Sequence, residues 1–265
     1  MPEFAANLTF LWTELPFLER FAAAREAGFS QVEYMFPYDF PAEAIRERLD
    51  STGLEQVLFN VPAGDWAGGD RGIASDPARK DEFRAGVEQA LVYAEVLEVE
   101  QLNCLAGLRL DGVGLAKQWA TLVDNVREAA RRLAEHGRRL LVEPVNTYDV
   151  PGFLLPTTYD ALRLLDDVGE PNVRLQFDAY HVRRMEGDPA DRLASVADRV
   201  GHVQIADDPG RHQPGTGEID FPALFRALAL IDYEGSIGLE YIPDPDADRS
   251  LGWLEQYGLV LSERS

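Results

Sequence analysis

The feature that most constrains the fold of this chain is the alternation of short apolar runs with longer amphipathic stretches from one end to the other. The longer stretches carry apolar stripes and predict helices. The short runs are predicted to be strands, at residues 4–11, 31–36, 54–61, 99–105, 138–145, 173–179, 200–206 and 235–241.

Eight strand–helix units in 265 residues, with no linker-like break in composition, predict one domain over residues 1–265. The predicted fold class is α/β, a single (β/α)8 TIM barrel. An open doubly wound sheet is the alternative. Its first strand is usually followed by a glycine-rich phosphate loop, but residues 12–20 contain no glycine. Two helices are predicted to begin at Pro77 and Pro189, each with the preceding aspartate as N-cap.

Four consecutive predicted strands, the fifth to the eighth, carry an oxygen-bearing side chain at or near their C-terminal ends. In a barrel these ends meet at one mouth, where active sites lie. Carboxylates gathered there raise one another's pKa values, and a divalent cation removes that conflict. A single acid after a strand is more often a helix cap or a salt bridge, but four in a row favour a metal site. Oxygen ligation of this kind suits Mg²⁺ or Mn²⁺, and the predicted ligands are Glu143, Asp178, Gln204 and Glu240.

Composition narrows the range of functions. A net charge of −21 is unfavourable for binding nucleic acid or an anionic membrane. No apolar run approaches the roughly 18 residues of a membrane helix, and the N-terminus does not resemble a signal peptide. The single cysteine, Cys104, excludes an intramolecular disulfide and fits a cytoplasmic location. We expect Cys104 to be a buried core thiol. The lysines Lys80 and Lys117 lie in predicted helices, so no lysine ends a strand as a Schiff-base enzyme would require.

Several segments resemble the hydroxypyruvate isomerase family, one of the xylose-isomerase-like barrels, and the resemblance covers essentially the whole chain. It implies interconversion of hydroxypyruvate and 2-hydroxy-3-oxopropanoate (tartronate semialdehyde), and close relatives isomerise other 2-oxo acids such as 2-oxo-tetronate. It also implies that the four predicted ligands hold the metal, and that Glu143 and Glu240 form the acid–base pair. Sugar epimerases of the superfamily usually place a histidine where Gln204 stands, so their substrate range is not implied. The segments are EPVNT (143–147), FDAYHVRRMEGD (177–188), HVQIADDPGRHQPGTGEID (202–220) and FNVPAGDWAGGDRGIA (59–74).

This chemistry agrees with the residues at the mouth. Moving a proton between neighbouring carbons of a hydroxy-ketone passes through an enediolate, whose negative oxygens a metal stabilises. Two carboxylates can serve as base and acid. No redox cofactor is required.

Three further residues are predicted to contact the substrate, a small 2-oxo or hydroxy acid. His181 could hold a substrate oxygen, or it could be a structural histidine. Arg211, in a glycine-rich loop, could bind a carboxylate through a bidentate contact with its guanidinium, or it could form a surface salt bridge. Trp66 could act as a lid or simply anchor its loop. His202 lies two residues before Gln204. Strand alternation favours a packed, hydrogen-bonded histidine at this position at least as much as a metal ligand.

Four other functions were compared with the isomerase. A 2-oxo-tetronate isomerase and a ketose 3-epimerase share the predicted metal ligands and remain open as alternatives. A metal-dependent endonuclease would need more than the four histidines present and a basic groove. A non-catalytic sugar-acid-binding barrel would have lost the carboxylates. The oligomeric state cannot be read from the sequence.

Overall fold

The computed structural model describes residues 3–261. Within them, eight parallel strands form a closed barrel in sequence order, with β8 pairing back onto β1. This confirms the predicted (β/α)8 barrel. The strands are β1 Phe4–Asn7, β2 Gln31–Glu33, β3 Glu55–Asn60, β4 Gln101–Cys104, β5 Arg139–Val142, β6 Val173–Asp178, β7 Val200–Ile205 and β8 Ile237–Leu239.

Helices surround the barrel and pack against it through buried apolar faces. They are α1 Arg20–Glu26, α2 Ala42–Thr52, α3 Lys80–Leu97, α4 Leu115–Ala134, α5 Thr158–Val168, α6 Ala179–Glu186, α7 Pro189–Val196, α8 Phe221–Leu230, α9 Ala247–Ser250 and α10 Trp253–Gln256.

The two predicted aspartate caps have different outcomes. Asp188 caps α7 by accepting hydrogen bonds from the amides of Ala190 and Asp191, with Pro189 in the first turn, as predicted. The Asp76 cap is wrong, because α3 begins only at Lys80. Asp76 instead closes a separate turn: its Oδ1 accepts from the Ala78 amide at 2.8 Å and its carbonyl from the Arg79 amide at 3.2 Å.

Several strands are shorter than the apolar runs that predicted them. The run 4–11 is a strand only to Asn7, because the Asn7 carbonyl accepts from the amides of Phe10 and Leu11 and turns the chain. Leu8 and Leu11 are nonetheless fully buried. Hydrophobicity reports burial, and here it continues past the end of the sheet.

The inside of the barrel is unusually polar. Alternate residues of a strand face the same side of the sheet, and the inward positions hold hydrogen-bonding side chains where a barrel of this type commonly packs Val, Ile and Leu. The buried polar residues on the strands include Asn7, Glu33, Gln56, Asn60, Gln101, Asn103, Gln176, Asp178, His202 and Gln204.

Two expectations about the whole chain can be compared with the structure. Across the described residues, no helix is long and apolar enough to cross a membrane. Cys104 is buried, as predicted, and burial raises the pKa of its thiol to about 12.

Candidate active site

A cavity of about 130 Å³ opens at the C-terminal ends of the strands. The four predicted ligands lie at this mouth. Glu143 and Glu240 directly follow β5 and β8, Asp178 is the last residue of β6, and Gln204 is the second-last residue of β7. Of the residues predicted to form the site, those lining the cavity are Glu143, Gln204, Glu240, His181, Arg211 and Trp66.

Three side chains at the mouth form a tight group that could hold a metal ion. Glu143, Asp178 and His181 are all buried, and one ligand atom from each lies within 4.8 Å of the others. Asp178 Oδ2 is buried and accepts no hydrogen bond from any residue in 3–261. A carboxylate oxygen left without a partner in this position suits a cation.

This group differs from the predicted ligand set, because Glu240 lies outside it. Glu240 Oε1 instead accepts from Arg211 Nη2 at 2.7 Å. The same guanidinium lies 3.7 Å from Asp178 Oδ2 and packs against the rings of Phe10 and Tyr180, 5.0 and 5.1 Å from their centroids. Arg211 therefore partly neutralises the carboxylates from inside the site.

His181 is held as a neutral imidazole with its proton on the nitrogen that faces the carboxylates. Burial, followed by the charges of Arg211 and Arg184, holds its pKa well below the usual value. Its Nδ1 lies 2.7 Å from Asn146 Nδ2. That amide is oriented by its own oxygen, which accepts from the backbone amide of Asp149 at 2.9 Å. Nδ1 is thus an acceptor, and Nε2 carries the hydrogen.

The direction in which Nε2 points decides what His181 can do. Nε2 lies 3.5 Å from Asp178 Oδ2 and 3.9 Å from Glu143 Oε1. A protonated ring nitrogen cannot bind a metal, but it can donate to a substrate oxygen. The geometry therefore supports substrate contact for His181 and leaves ligation to the oxygen donors.

The carboxylates at the mouth resist ionisation. Burial raises the pKa of Glu143 to about 8, with the charge of Asp178 adding to the effect. Burial also raises the pKa of Asp178 to about 6 and that of Glu240 well above its usual range, although Arg211 opposes both shifts. Groups that titrate near neutrality are suited to exchanging protons with a substrate.

The side-chain amide of Gln204 has a fixed orientation. Its Nε2 donates to Glu33 Oε1 at 2.8 Å, and its Oε1 accepts from Gln176 Nε2 at 2.6 Å. Glu33 Oε1 also accepts from Asn7 Nδ2 at 2.8 Å, and Glu33 Oε2 lies 2.6 Å from His202 Nε2. These five residues are called the interior network below, and all of them except His202 line the cavity. His202 is therefore a hydrogen-bonded interior histidine, which is the first of the two interpretations that its sequence position allowed.

Sequence reasoning missed Glu33, although a signal was present. It is an acid inside the apolar run 31–36 that predicted a strand, and in the structure it has no exposed surface. A charge inside a buried strand needs partners. The partners come from β1 and β7, and only the closed barrel brings them to β2.

The loop that carries Arg211 is fixed by a buried aspartate. Asp207 Oδ2 accepts from the amides of Gly215 and Gly217 at 2.9 and 2.7 Å, and Oδ1 accepts from the Ile219 amide at 3.1 Å. A Cβ at Gly217 would lie 2.6 Å from Asp207 Oδ1, so glycine is required there. The hydrogen bonds inside this loop thus fix the backbone that carries Arg211.

The loop after β3 supplies the opposite wall. Trp66 is half-buried, with its ring 5.1 Å from that of Phe36. The Arg71 guanidinium packs over Trp66 at 4.2 Å and also lines the cavity. Sequence reasoning did not single out Arg71.

Comparison with known proteins places the chain among barrel enzymes. Residues 21–257 match the family model described as xylose isomerase-like TIM barrel. The chain is 46% identical to a hydroxypyruvate isomerase of Escherichia coli, covering 97% of this chain and 100% of that protein. It is 43% identical to a 2-oxo-tetronate isomerase of Cupriavidus necator, covering 97% and 99%. A crystal structure described as an AP endonuclease, family 2, from Brucella melitensis superposes with a TM-score of 0.94 at 43% identity, covering 97% and 99%.

Proposed function

This chain belongs to the hydroxypyruvate isomerase family of xylose isomerase-like TIM barrels, and from that premise we propose that it interconverts hydroxypyruvate and 2-hydroxy-3-oxopropanoate. The observation that carries the proposal is the pairing of two buried carboxylates, Glu143 and Glu240, with a neutral histidine, His181, around one small cavity. A 2-oxo-tetronate isomerase is the alternative with the same reacting groups.

The size of the cavity favours a small acid over a ketohexose. An engineered protein cavity of about 150 Å³ accommodates benzene, and this one measures about 130 Å³. A ketohexose, which is larger than either acid, would extend beyond this volume towards the open mouth.

In the proposed reaction Glu143 and Glu240 exchange the proton between neighbouring carbons. They follow strands that are three steps apart in the barrel, so they approach the substrate from different sides. The Asn103 amide donates to Glu143 Oε2 at 2.8 Å. That bond leaves Glu143 Oε1 for the substrate.

Two further side chains assist this reaction. His181 acts on a substrate oxygen, and Arg211 acts on the ionisation of Glu240. His181 Nε2–H donates to the carbonyl oxygen that becomes negative in the enediolate. Arg211 holds Glu240 at 2.7 Å and opposes the rise in its pKa. That contact increases the ionised fraction of Glu240, the form that can remove a proton.

A divalent cation, Mg²⁺ or Mn²⁺, is part of the proposal. The donor set fits it, because Asp178 Oδ2 is buried without a hydrogen-bond partner in the described part of the chain and Glu143 lies beside it. We propose Glu143, Asp178, Gln204 and Glu240 as the groups that hold it, with Glu240 keeping its bond to Arg211 through Oε1. When bound, the cation supplies Lewis-acid stabilisation of the negative oxygens.

The endonuclease described for the Brucella melitensis structure is not adopted as the function. Nucleic-acid binding depends on cationic contacts with phosphates, whereas this chain has a net charge of −21. Most surface arginines near the helices are already paired with carboxylates, for example Arg79, Arg84 and Arg132.

The test compares hydroxypyruvate, 2-oxo-tetronate and D-fructose as substrates with Mg²⁺ or Mn²⁺, followed by proton NMR in D₂O. We expect isomerisation of one or both acids with uptake of solvent deuterium at the reacting carbon. The Glu143→Gln variant is the control for residual contaminating activity. Faster epimerisation of D-fructose than turnover of either acid would replace this function with the sugar 3-epimerase.

A further inference from the structure

The cavity contains a second guanidinium, that of Arg71. Its Nη1 donates to the backbone carbonyls of Trp66 and Asp70, at 3.0 and 2.7 Å. Within residues 3–261 no carboxylate forms an ion pair with it. In a chain with 46 acidic residues and 25 basic ones, an arginine in an active-site cavity without an acidic partner is a notable exception.

The neighbouring acid is held away from Arg71 by other groups. Asp70 Oδ2 accepts from Arg79 Nη1 and from the Asp65 amide, both at 2.7 Å. Gly64 makes this arrangement possible, because a Cβ at that position would collide with the Asp70 carboxylate. The loop therefore directs its nearest acid towards Arg79 and leaves the positive charge of Arg71 facing the cavity.

The Arg71 side chain is also held in place before any ligand arrives. The Trp66 ring supports its guanidinium from one face, at 4.2 Å. The Gly72 amide donates to the Ala63 carbonyl at 3.1 Å, which closes the loop around it. At Gly72, where φ is +106°, a Cβ would lie 2.6 Å from the Leu105 carbonyl carbon, so the loop packs directly on the neighbouring one. Such an arrangement lowers the entropic cost of binding.

Arg211 differs in this respect. Its Nη2 is already bonded to Glu240 at 2.7 Å and lies 3.7 Å from Asp178. If it turned to a substrate carboxylate, it would leave Glu240 as a buried carboxylate without its partner, at a cost of several kcal/mol. The charge of Arg211 therefore serves the protein's own acids.

We infer that Arg71 recognises the carboxylate of the substrate and so selects 2-oxo acids over neutral ketoses. This inference rests on the proposed function for the identity of the substrate. Nη2 and Nε of Arg71 are available for a two-pronged contact with a carboxylate. The sequence-based prediction gives this role to Arg211, and the experiment decides between the two residues.

The experiment measures binding without turnover, so that it does not depend on the isomerase reaction. Calorimetry on Mg²⁺-loaded protein compares D-glycerate with its neutral amide, D-glyceramide, which keeps the hydroxyl groups and loses the charge. We expect the wild type to prefer glycerate. The Arg71→Gln variant should lose about 10- to 100-fold of glycerate affinity, since a hydrogen-bonded charge contact is lost. Affinity for glyceramide should stay within about threefold.

Matched variants separate recognition from damage to the fold. Arg48→Gln removes the same charge from an exposed position on α2 and should bind like the wild type. Arg71→Lys keeps the charge but loses the planar fork, so it should recover only part of the preference. If Arg71→Gln is unstable, Arg71→Lys still tests the contact in folded protein, as checked by circular dichroism.

Each outcome has a definite meaning. Preference for glycerate that survives in Arg71→Gln overturns the inference, and its loss in Arg211→Lys would then assign the carboxylate contact to Arg211. Equal affinity of the wild type for the two ligands also overturns it. Loss of preference in Arg71→Gln supports the inference even if hydroxypyruvate proves not to be a substrate, in which case only the proposed function fails.

Discussion

Replacing Gly238 by alanine should destabilise this protein far more than the addition of one methyl group suggests. Gly238 lies in the middle of β8, and its φ is outside the left-handed region, so the backbone accepts alanine. The new Cβ, however, would lie 2.5 Å from Glu33 Cδ and overlap the carboxylate. Glu33 must move, although it is fully buried.

The size of the effect follows from what Glu33 holds in the interior network. Three side chains direct nitrogens at its carboxylate: Asn7, His202 and Gln204. Overpacking of a core costs about 1–3 kcal/mol. Leaving one buried hydrogen-bond donor without an acceptor adds about 1–3 kcal/mol. The expected loss is therefore about 2–6 kcal/mol, equivalent to at least about 4 °C in Tm for a chain of this size.

Thermal and urea unfolding of Gly238→Ala and wild type measure this loss. Gly114→Ala is the matched control, because no atom lies within 4 Å of its added Cβ, and it should lose less than about 1 kcal/mol. Glu33→Asp shortens the side chain that meets the new methyl group, so the double variant should be more stable than the sum of the single losses predicts. A Gly238→Ala protein within about 1 kcal/mol of wild type would show that the interior network can rearrange at little cost.

Three other predictions concern the catalytic groups. Glu143→Gln and Glu240→Gln should each lower kcat/KM by about 10²- to 10⁴-fold with folding intact by circular dichroism, and the double variant should lose little more; a near-wild-type rate for Glu240→Gln would rule out the two-carboxylate mechanism. Chelation should abolish activity, and Mg²⁺ or Mn²⁺ should restore it; full activity in thoroughly metal-free protein would contradict this. Because the pKa of Glu143 is raised from 4.5 to about 8 in the folded protein, the native state keeps a proton that the unfolded chain loses, so its contribution to stability falls as pH rises through that interval. Chelated wild type should therefore lose stability relative to chelated Glu143→Gln as pH rises from about 5 to 8, and equal urea midpoints for the two proteins across this range would contradict it.

The barrel and the position of the mouth were predictable because they depend on periodicity. Apolar runs with an acid or amide at the end, as at Glu143 and Asp178, show where a strand stops and what it presents. The order of the strands followed from the count of units, and the structure confirms it.

The partners of these residues were not predictable in the same way. Nothing near Glu240 in the sequence indicates that Arg211 is bonded to it, and Glu33 meets His202 across 169 residues. The role of Asn146 in fixing the His181 proton depends on a hydrogen bond to a backbone amide in a tight turn. Such contacts arise from closure of the barrel and from loop conformation, which periodicity does not describe.

The bonding of Asp207 has a consequence for how this fold acquires new substrates. Because the amides of Gly215, Gly217 and Ile219 all donate to that one carboxylate, the conformational entropy of the loop is lost when the chain folds and not when a ligand binds. An insertion in this loop would disrupt the arrangement, whereas exchanging a side chain such as Arg211 would not. Divergence at this end of the barrel is therefore expected to proceed by point substitution on a constant loop frame.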